Sequence, residues 1–286
     1  MALVLRSVFN TYTFCFKEYN DPRVEHFPLL GSPWPVILLI IVYLKFVYNW
    51  GPKLMENRKP YNLKTLMNVY NALQVLLNLY IGVTGFLNSY FSEDYDWLCE
   101  PINQKTSPAR RKLIMATYLY FLSKIVDLLD TVFFVLRKKN NQITFLHTYH
   151  HAAMILATYI ANKFLSGSHA TLLGLINSFV HVIMYFYYFL TSFRPEVKNS
   201  LWWKKYITQV QLFQFMILMA HFGIPLLLGY CNYPTSLLFI GFTQNLFMFT
   251  LFADFYIKAY LKSKKRKTEM TNGSSCLNHS LAKVVK

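Results

Sequence analysis

Cysteine is scarce in this sequence, and the pattern of a cleaved signal peptide is absent. The chain has 286 residues and four cysteines, which are too few for the disulfide framework of a small secreted domain. Residues 1–32 hold only short apolar pieces interrupted by charged side chains, without the apolar core and cleavage site of a signal peptide. We therefore expect the first membrane-spanning helix to serve as its own insertion signal.

A polar segment long enough for a separate soluble domain is also lacking before residue 262, because apolar stretches recur along the chain. Hydrophobic residues make up 54% of the sequence and aromatic residues 18%, and the mean hydropathy is positive. The stretches are about 20 residues long, the length that a helix needs to cross a hydrocarbon core of about 30 Å. They predict an all-α membrane protein with seven transmembrane helices and no separate soluble domain. The predicted spans are 35–48, 66–86, 113–136, 143–162, 171–193, 206–228 and 236–261.

Acidic residues are few, and the excess of basic residues is explained by membrane topology. The chain has 13 Asp and Glu against 29 Lys and Arg, a formal net charge of +16. The basic residues are spread among apolar segments and do not cover one soluble face, so we predict no nucleic-acid partner. Most of them fall in alternate loops and in the C-terminal tail. The positive-inside rule then places the tail in the cytosol and the N-terminus in the lumen.

This topology divides the chain into three parts and assigns a side to the cysteines. The parts are a lumenal N-terminal segment (1–34), a seven-helix membrane domain with the active site (35–261) and a disordered basic cytosolic tail (262–286). Cys15, Cys99 and Cys231 fall on the lumenal side, where oxidation is permitted. We predict a disulfide between Cys99 and Cys231. Three unpaired thiols stay an open alternative, because the sequence does not contain the distances that disulfide geometry requires.

Ionisable side chains inside the predicted spans mark the expected functional site. Such groups are costly near the centre of a bilayer unless they face a partner or water. The third predicted span carries Lys124, Asp127 and Asp130 at positions i, i+3 and i+6, along one side of a helix. Three histidines share one face of the fourth span, namely His147, His150 and His151.

Two further predicted spans carry polar side chains at helical spacing. These side chains are Asn177, His181, Tyr185 and Tyr188 in the fifth span, and Gln211 and Gln214 in the sixth. With a rise of about 1.5 Å per residue, the polar sets of all four spans come to lie about 10 to 20 Å below the cytosolic boundary. They therefore converge on one layer of the membrane domain.

Two readings of this layer stay open, a structural one and a catalytic one. Polar side chains also hydrogen-bond helices together in membranes, and this explanation holds well for each amide taken singly. It accounts less well for a Lys-Asp-Asp stripe and several histidines at one depth, which favour a reaction site. No cysteine lies in the layer, so covalent acyl transfer there would need a histidine.

The histidines themselves allow two chemistries. Membrane di-iron desaturases and hydroxylases also use HxxHH boxes, so a di-iron oxidase is the serious alternative. Such sites draw ligands from several histidine boxes, whereas this layer holds only His147, His150, His151 and His181. We therefore predict no metal and assign the imidazoles to nucleophilic or acid–base work.

Five motifs follow one another along these spans. They are Lys124-x-x-Asp127-x-x-Asp130-Thr131, Phe133-Phe134-x-x-Arg137-Lys138-Lys139, His147-x-x-His150-His151, Asn177-x-x-x-His181-x-x-Met184-Tyr185 and Thr208-x-x-Gln211-x-x-Gln214. In this order they resemble the ELO-type elongases of very-long-chain fatty acids, the membrane 3-ketoacyl-CoA synthases. Two positions depart from that family: Asp127, where Glu is more frequent, and Asp254, where the family has Asn.

The resemblance implies an architecture and a reaction. It implies seven helices, six of them forming a barrel around an acyl-chain tunnel whose CoA end opens to the cytosol. The implied reaction condenses long-chain fatty acyl-CoA with malonyl-CoA to 3-oxoacyl-CoA, CoA and CO2 in the endoplasmic reticulum membrane, without a bound cofactor. The implied partners are membrane lipid and the ketoacyl-CoA reductase, dehydratase and enoyl-CoA reductase of the elongation cycle. A homodimer is an open alternative for the oligomeric state, and a seven-span receptor or transporter is the non-enzyme alternative.

Roles for individual residues follow as hypotheses. We expect His150 to attack the thioester, with His147 or His151 as base and Asp130 as the partner of that base. The expected oxyanion donors are Lys124, Asn177, His181 and Gln211. Basic side chains at the cytosolic mouth, expected to hold CoA phosphates or to serve as topology signals only, are Arg137, Lys138, Lys139, Lys204 and Lys205. Asp127 completes the catalytic set, and Tyr185, Tyr188 and Gln214 complete the substrate-binding set.

Overall fold

The computed structural model describes residue 6 and residues 20–262, and all regular structure in that part of the chain is helical. The predicted disordered tail, apart from its first residue, and the predicted lumenal Cys15 lie outside the described residues. An all-α architecture agrees with the expectation from the apolar stretches.

The helices follow one another through mostly short connections. They are α1 (Trp34–Lys45), the π-helical turn Phe46–Trp50, α2 (Gly51–Met55), α3 (Lys64–Leu87), α4 (Pro108–Val126), α5 (Leu128–Leu136), α6 (Phe145–Phe164), α7 (Thr171–Thr191), α8 (Pro195–Asn199), α9 (Leu201–Leu228), α10 (Thr235–Tyr256) and the π-helical segment Ile257–Lys262. A 3-10 turn at Asn140–Gln142 separates α5 from α6. The connection between α3 and α4, residues 88–107, is the longest of the described part.

Five helical units in the described part of the chain are long and apolar enough to cross a membrane. They are Trp34–Met55, Lys64–Leu87, Thr171–Thr191, Leu201–Leu228 and Thr235–Leu261. The chain is therefore a multi-pass membrane protein. The third and fourth predicted spans correspond to α4 with α5 and to α6, which contain the charged stripe and the three clustered histidines and are less apolar for that reason. The count of seven stays a prediction.

Side-chain caps set the start of the helices that carry Lys124 and the three clustered histidines. Ser107 caps α4, since its hydroxyl accepts from the backbone N–H of Arg110 at 3.1 Å, and Pro108 takes the first helical position. Thr144 caps α6 by accepting from the backbone N–H of His147 at 3.3 Å. The second cap therefore fixes the turn in which His147 lies.

The helices contact one another in a definite order. Helix α3 packs against α7 and α4, α4 packs against α6, and α9 packs against α7 and α10. Helix α6 also contacts α10, where the Tyr149 hydroxyl donates to Gln244 Oε1 at 3.2 Å. Helix α1 lies against α6, and α2 lies against α5. A Cβ atom at Gly51 would lie 2.6 Å from Val135 Cγ1, so glycine permits the close approach of α2 to α5.

The long α3–α4 connection is tied to other loops at its end of the molecule. A disulfide joins Cys99 to Cys231, the pair expected from the sequence, with Cα atoms 5.4 Å apart. The Arg110 guanidinium donates to Glu100 Oε1 at 2.7 Å and to the carbonyl oxygen of Gly167 at 2.6 Å. Both charged side chains of this ion pair are 3% exposed. The buried pair thus holds the α3–α4 connection against the α6–α7 loop.

Two histidines at the same end bond to each other's backbone. His169 Nε2 lies 3.0 Å from the carbonyl oxygen of His221, and His221 Nε2 lies 2.9 Å from that of His169. Their rings stack with centroids 3.7 Å apart. The His221 carbonyl is open to this bond because Pro225, four residues later in α9, has no N–H to donate. Burial lowers the pKa of the His169 imidazole, which lies between α6 and α7, although Asp96 and Glu100 oppose the shift.

Candidate active site

A buried lysine is the centre of the first polar cluster. Lys124, near the end of α4, is 3% exposed. Its ammonium nitrogen lies 2.9 Å from Asp127 Oδ2, 3.1 Å from Asn177 Oδ1 and 3.3 Å from His181 Nδ1. It also lies 4.7 Å from the centroid of the Tyr120 ring, whose hydroxyl donates to Asn177 Oδ1 at 2.8 Å. Helices α4 and α7 therefore share one cation in the interior.

Asp127 is the acceptor around which this cluster closes. It lies at the junction between α4 and α5 and is 1% exposed. Besides the ammonium group of Lys124, Gln74 Nε2 donates to its Oδ1, and the Tyr185 hydroxyl lies 2.9 Å from the same oxygen. His181 Nδ1 lies 3.5 Å from Oδ2. Three helices thus place donors around one carboxylate. The i, i+3 spacing in the third predicted span indicates only the contact between Lys124 and Asp127.

Asp130 has a different partner from the one expected. Its Oδ2 lies 2.7 Å from the hydroxyl of Tyr185, which bridges it to Asp127, and the Tyr70 hydroxyl lies 3.2 Å from that of Tyr185. Within the described residues, Asp130 forms no hydrogen bond to an imidazole. The structure therefore does not give Asp130 the histidine partner that was expected, and its hydrogen-bond partner is Tyr185 of α7.

The three clustered histidines lie on the first turns of α6. The imidazole of His147 has its Nε2 2.9 Å from the hydroxyl oxygen of Thr131 in α5. Its ring centroid lies 4.4 Å from that of His151, and the centroids of His150 and His151 are 5.9 Å apart. His150 also approaches Phe252 of α10, at 6.4 Å between centroids. The shared face predicted from the spacing is thus present as a group of contacting rings.

Two of these imidazoles keep their nitrogens available. Within the described part of the chain, no hydrogen bond engages a ring nitrogen of His150 or His151, whereas His147 is bonded to Thr131. Thr131, which bonds to His147, lies one helical turn after Asp127 in α5. The first turn of α5 therefore joins the lysine cluster to the histidine group. Together they provide nucleophilic nitrogens, proton acceptors and a fixed cation in one apolar interior.

The other predicted polar residues lie at the edge of this site. Asn177 Nδ2 donates to Gln214 Oε1 over 3.4 Å, and Gln211 Nε2 lies 4.0 Å from the sulfur of Met184. The Tyr188 ring lies 6.2 Å from that of Tyr185. These contacts join α7 to α9 next to the lysine cluster.

Sequence reasoning did not assign Gln74 and Tyr70 to the site. Both lie in α3 at spacing i, i+4, and Gln74 Nε2 lies 3.2 Å from the Tyr70 hydroxyl. Gln74 is 2% exposed and donates directly to Asp127. The sequence did contain a signal, a pair of polar residues at helical spacing inside an apolar span. Such a pair is equally well explained by hydrogen bonds that join membrane helices without any catalytic role.

The basic residues expected at the cytosolic mouth form two separate groups. Arg137 Nη1 donates to the sulfur of Met67 at 3.2 Å, and Lys138 Nζ donates to the carbonyl oxygen of Glu56 at 3.1 Å. The remaining members, Lys139, Lys204 and Lys205, are exposed. Arg137, Lys138 and Lys139 thus lie just after α5, and Lys204 and Lys205 lie near the start of α9.

Two further observations bear on the alternatives. Within residues 20–262, no group of three or more His, Cys, Asp or Glu side chains is arranged to hold a metal ion. The donor geometry therefore does not favour the di-iron interpretation. Asp254, one of the two departures from the family pattern, forms an exposed ion pair with Lys258 at 2.7 Å and lies outside the site.

Comparison with known proteins assigns the chain to a family. The family described as ELO, the GNS1/SUR4 family, matches residues 28–268. The chain belongs to the ELO family. The five motifs of this ELO protein all lie inside the matched region, so the resemblance inferred from them is confirmed.

Similar proteins in this family cover most of the chain. A protein of Rattus norvegicus named very long chain fatty acid elongase 7 is 39% identical over 260 residues, which is 91% of this chain and 92% of the relative. The human very long chain fatty acid elongase 4 is 40% identical over 257 residues, 89% of this chain and 81% of the relative. Very long chain fatty acid elongase 7 of Drosophila melanogaster is 38% identical over 257 residues, 89% of this chain and 78% of the relative.

Proposed function

We propose that this ELO protein is a fatty acid elongation enzyme that condenses long-chain fatty acyl-CoA with malonyl-CoA. The products are 3-oxoacyl-CoA, CoA and CO2. The names of its relatives support elongation, and one structural observation supports the chemistry. Lys124 and Asp127 form a buried ion pair beside His181, and α5 joins this pair to the histidine group, in which His150 and His151 have no hydrogen bond to a ring nitrogen in the described residues.

The proposed architecture follows the order of helix neighbours. Helices α3, α4 with α5, α6, α10, α9 and α7 each contact the next, and α7 returns to α3. We assign these six units to a ring around the acyl chain, with α1 outside it against α6. In this arrangement the chain crosses the endoplasmic reticulum membrane seven times, the CoA end opens to the cytosol, and the N-terminus is lumenal.

In the first half-reaction, His150 is the nucleophile. Its unprotonated ring nitrogen forms a bond to the acyl carbonyl carbon, the carbon–sulfur bond breaks, and CoA is displaced as a thiolate. The remaining ring proton of His150 passes to His151, which then gives this proton to the CoA thiolate, so that CoA leaves as the thiol. Asp130 has no part in orienting the base, because its partner is the hydroxyl of Tyr185; Thr131 orients His147 instead.

In the second half-reaction, malonyl-CoA loses CO2 and its α-carbon attacks the acyl group. The new carbon–carbon bond forms as the bond from the acyl carbon to the imidazole breaks. The departing imidazolate takes up one proton from water by way of His151, which returns neutral His150. Negative charge develops on the thioester oxygen of the enolate and on the acyl oxygen. Lys124, with its positive charge held by Asp127 at 2.9 Å, is placed to stabilise one of them, and removal of one such donor typically lowers kcat about 100- to 1000-fold.

Neither half-reaction needs a bound cofactor. Three further reactions are needed to convert the product into a fully extended acyl chain. The 3-oxo group requires reduction, dehydration and a second reduction before the chain is fully extended. We therefore propose a ketoacyl-CoA reductase, a dehydratase and an enoyl-CoA reductase as partners, in the lipid of the same membrane. We propose a homodimer as the oligomeric state to be tested.

The test is release of labelled CO2 from malonyl-CoA by the purified full-length chain, with its metal content measured on the same sample. Release that depends on added long-chain acyl-CoA is expected. Release of CO2 without added acyl-CoA would contradict the proposal. A failure to release CO2 in a sample that holds stoichiometric iron would contradict it as well.

The nucleophile has a test of its own. After incubation with labelled acyl-CoA alone, the wild-type chain is expected to retain an acyl adduct that His150→Ala lacks. His26→Ala is the matched control, since His26 is exposed and lies outside the site. An adduct that survives in His150→Ala would reject this assignment.

A further inference from the structure

Helix α1, which lies against α6, reaches the histidine group through a tyrosine. Tyr43 is 5% exposed, and its hydroxyl lies 2.9 Å from the hydroxyl oxygen of Thr131. Thr131 is fully buried, and its hydroxyl oxygen lies 2.9 Å from Nε2 of His147. Three polar atoms from α1, α5 and α6 thus form one hydrogen-bonded chain.

The number of protons in this chain determines its direction. Tyr43 and Thr131 each carry one hydroxyl proton, and there are two contacts to fill. If Tyr43 donates to Thr131 and Thr131 donates to Nε2 of His147, both protons are used. If Nε2 were the donor, either the Tyr43 or the Thr131 proton would have no acceptor among the described residues, and a buried unsatisfied donor costs about 1–3 kcal/mol.

We propose that Tyr43 is a positioning residue that acts through Thr131 to hold His147 neutral, with its proton on Nδ1. Donation by Tyr43 makes the Thr131 hydroxyl a better donor and a poorer acceptor, because hydrogen bonds in a chain polarise one another. His147 then accepts at Nε2 and stays uncharged at 4.4 Å from the His151 ring. The kinetic part of this proposal rests on the proposed condensation; the tautomer does not.

A neutral His147 matters because of the groups around it. The titratable and charged groups that face this region are Tyr43 of α1, Tyr48 of the π-helical turn after it, Lys124 of α4, Asp127 at the α4–α5 junction, Asp130 of α5, His150 and His151 of α6 and His181 of α7. A second positive charge at His147 would repel a proton arriving at His151 during acyl transfer. The hydroxyl chain from α1 therefore keeps His151 able to accept that proton.

The π-helical turn that follows α1 supplies a control. The hydroxyl oxygens of Tyr48 and Thr148 lie 2.7 Å apart. This second tyrosine–threonine bond joins that turn to α6, whereas the bond of Tyr43 to Thr131 joins α1 to α5. The Thr148 hydroxyl also bonds to the backbone carbonyl oxygens of Thr144 and Phe145, and no contact in the described chain links it to an imidazole.

The first experiment observes the tautomer directly. The full-length chain labelled with nitrogen-15 at its eight histidines is studied by NMR, and the His147 signals are identified by their loss in His147→Gln. A protonated Nδ1 and an unprotonated Nε2 are expected in the wild type and in Tyr48→Phe. A protonated Nε2 in the wild type, or an unchanged His147 spectrum in Thr131→Val, would overturn the proposal.

The second experiment measures acyl-CoA-dependent CO2 release by the same variants. Tyr43→Phe is expected to lower kcat about threefold to tenfold, the range for one lost hydrogen bond, to move the acidic limb of its pH profile upward, and to leave KM unchanged. Thr131→Ser should retain activity. Tyr43→Phe added to Thr131→Val should cost nothing further, since both act through one chain. Additive losses, or an equal loss in Tyr48→Phe, would overturn the proposal. No turnover in the wild type would reject the proposed function, and the NMR result would still decide this one.

Discussion

The buried ion pair of Lys124 and Asp127 allows a prediction about stability that is separate from catalysis. The ammonium group of Lys124 lies 2.9 Å from Asp127, and the side chains are 3% and 1% exposed. Replacing the lysine with methionine keeps the length of the side chain but leaves the carboxylate without its countercharge. Breaking a buried pair from one side costs about 3–5 kcal/mol. We expect Lys124→Met to lower the free energy of unfolding by about that amount.

The compensating substitution tests the cause. Asp127→Asn, added to Lys124→Met, removes the uncompensated charge while keeping an oxygen that accepts from Gln74 and Tyr185. The double variant should therefore recover at least half of the lost stability, although it should remain inactive. The measurement is reversible unfolding in detergent micelles, followed by the circular dichroism of the helices.

An ion pair on the surface provides the control. Lys258 and Asp254 lie 2.7 Å apart, with side chains 66% and 58% exposed, and Lys258→Met should change stability by about 0–1 kcal/mol. A double variant no more stable than Lys124→Met would refute the reasoning, because the loss would then come from packing. Equal losses in Lys124→Met and Lys258→Met would refute it as well.

Three further predictions concern the rest of the molecule. Cys99→Ala should lower the free energy of unfolding by about 2–5 kcal/mol, and peptide mapping without reductant should recover the Cys99–Cys231 pair only from the wild type. Because burial lowers the pKa of His169, its contribution to stability should be present above about pH 6.5 and lost as the pH falls below it; thermal unfolding of the wild type against His169→Phe measures this. Gln74→Leu, which removes a donor to Asp127, should lower the turnover number about tenfold, whereas Gln209→Leu on the exposed side of α9 should not.

The sequence located the polar layer because helical spacing carries that information. The i, i+3 relation of Lys124 to Asp127 and the i, i+3, i+4 relation of the three histidines correspond to contacts in the structure. Such patterns are more informative in a helix that crosses a membrane, because an unpaired charge in lipid is costly. The assignment of chemical roles to these residues stays a prediction.

Other parts of the site depend on contacts that no local pattern carries. The partner of Asp130 could not be foreseen, since a continuous helix was assumed where α4 ends and α5 begins. Gln74 lies 53 positions before Asp127 along the chain, and an amide in an apolar helix has several explanations. The burial of the Arg110–Glu100 ion pair depends on the packing of two loops against each other, which no local pattern indicates.

The disulfide between Cys99 and Cys231 also bears on how the chain is assembled during biosynthesis. The two cysteines are separated by 132 positions. Cys231 comes three residues after the end of α9. In the folded chain, the carbonyl oxygen of His221 in α9 bonds to His169, which lies in an earlier loop. A chain made from its N-terminus exposes Cys99 first and keeps a free thiol until α9 has been synthesised and inserted. Formation of this disulfide therefore reports that α9 has reached its place, and it can precede the insertion of α10.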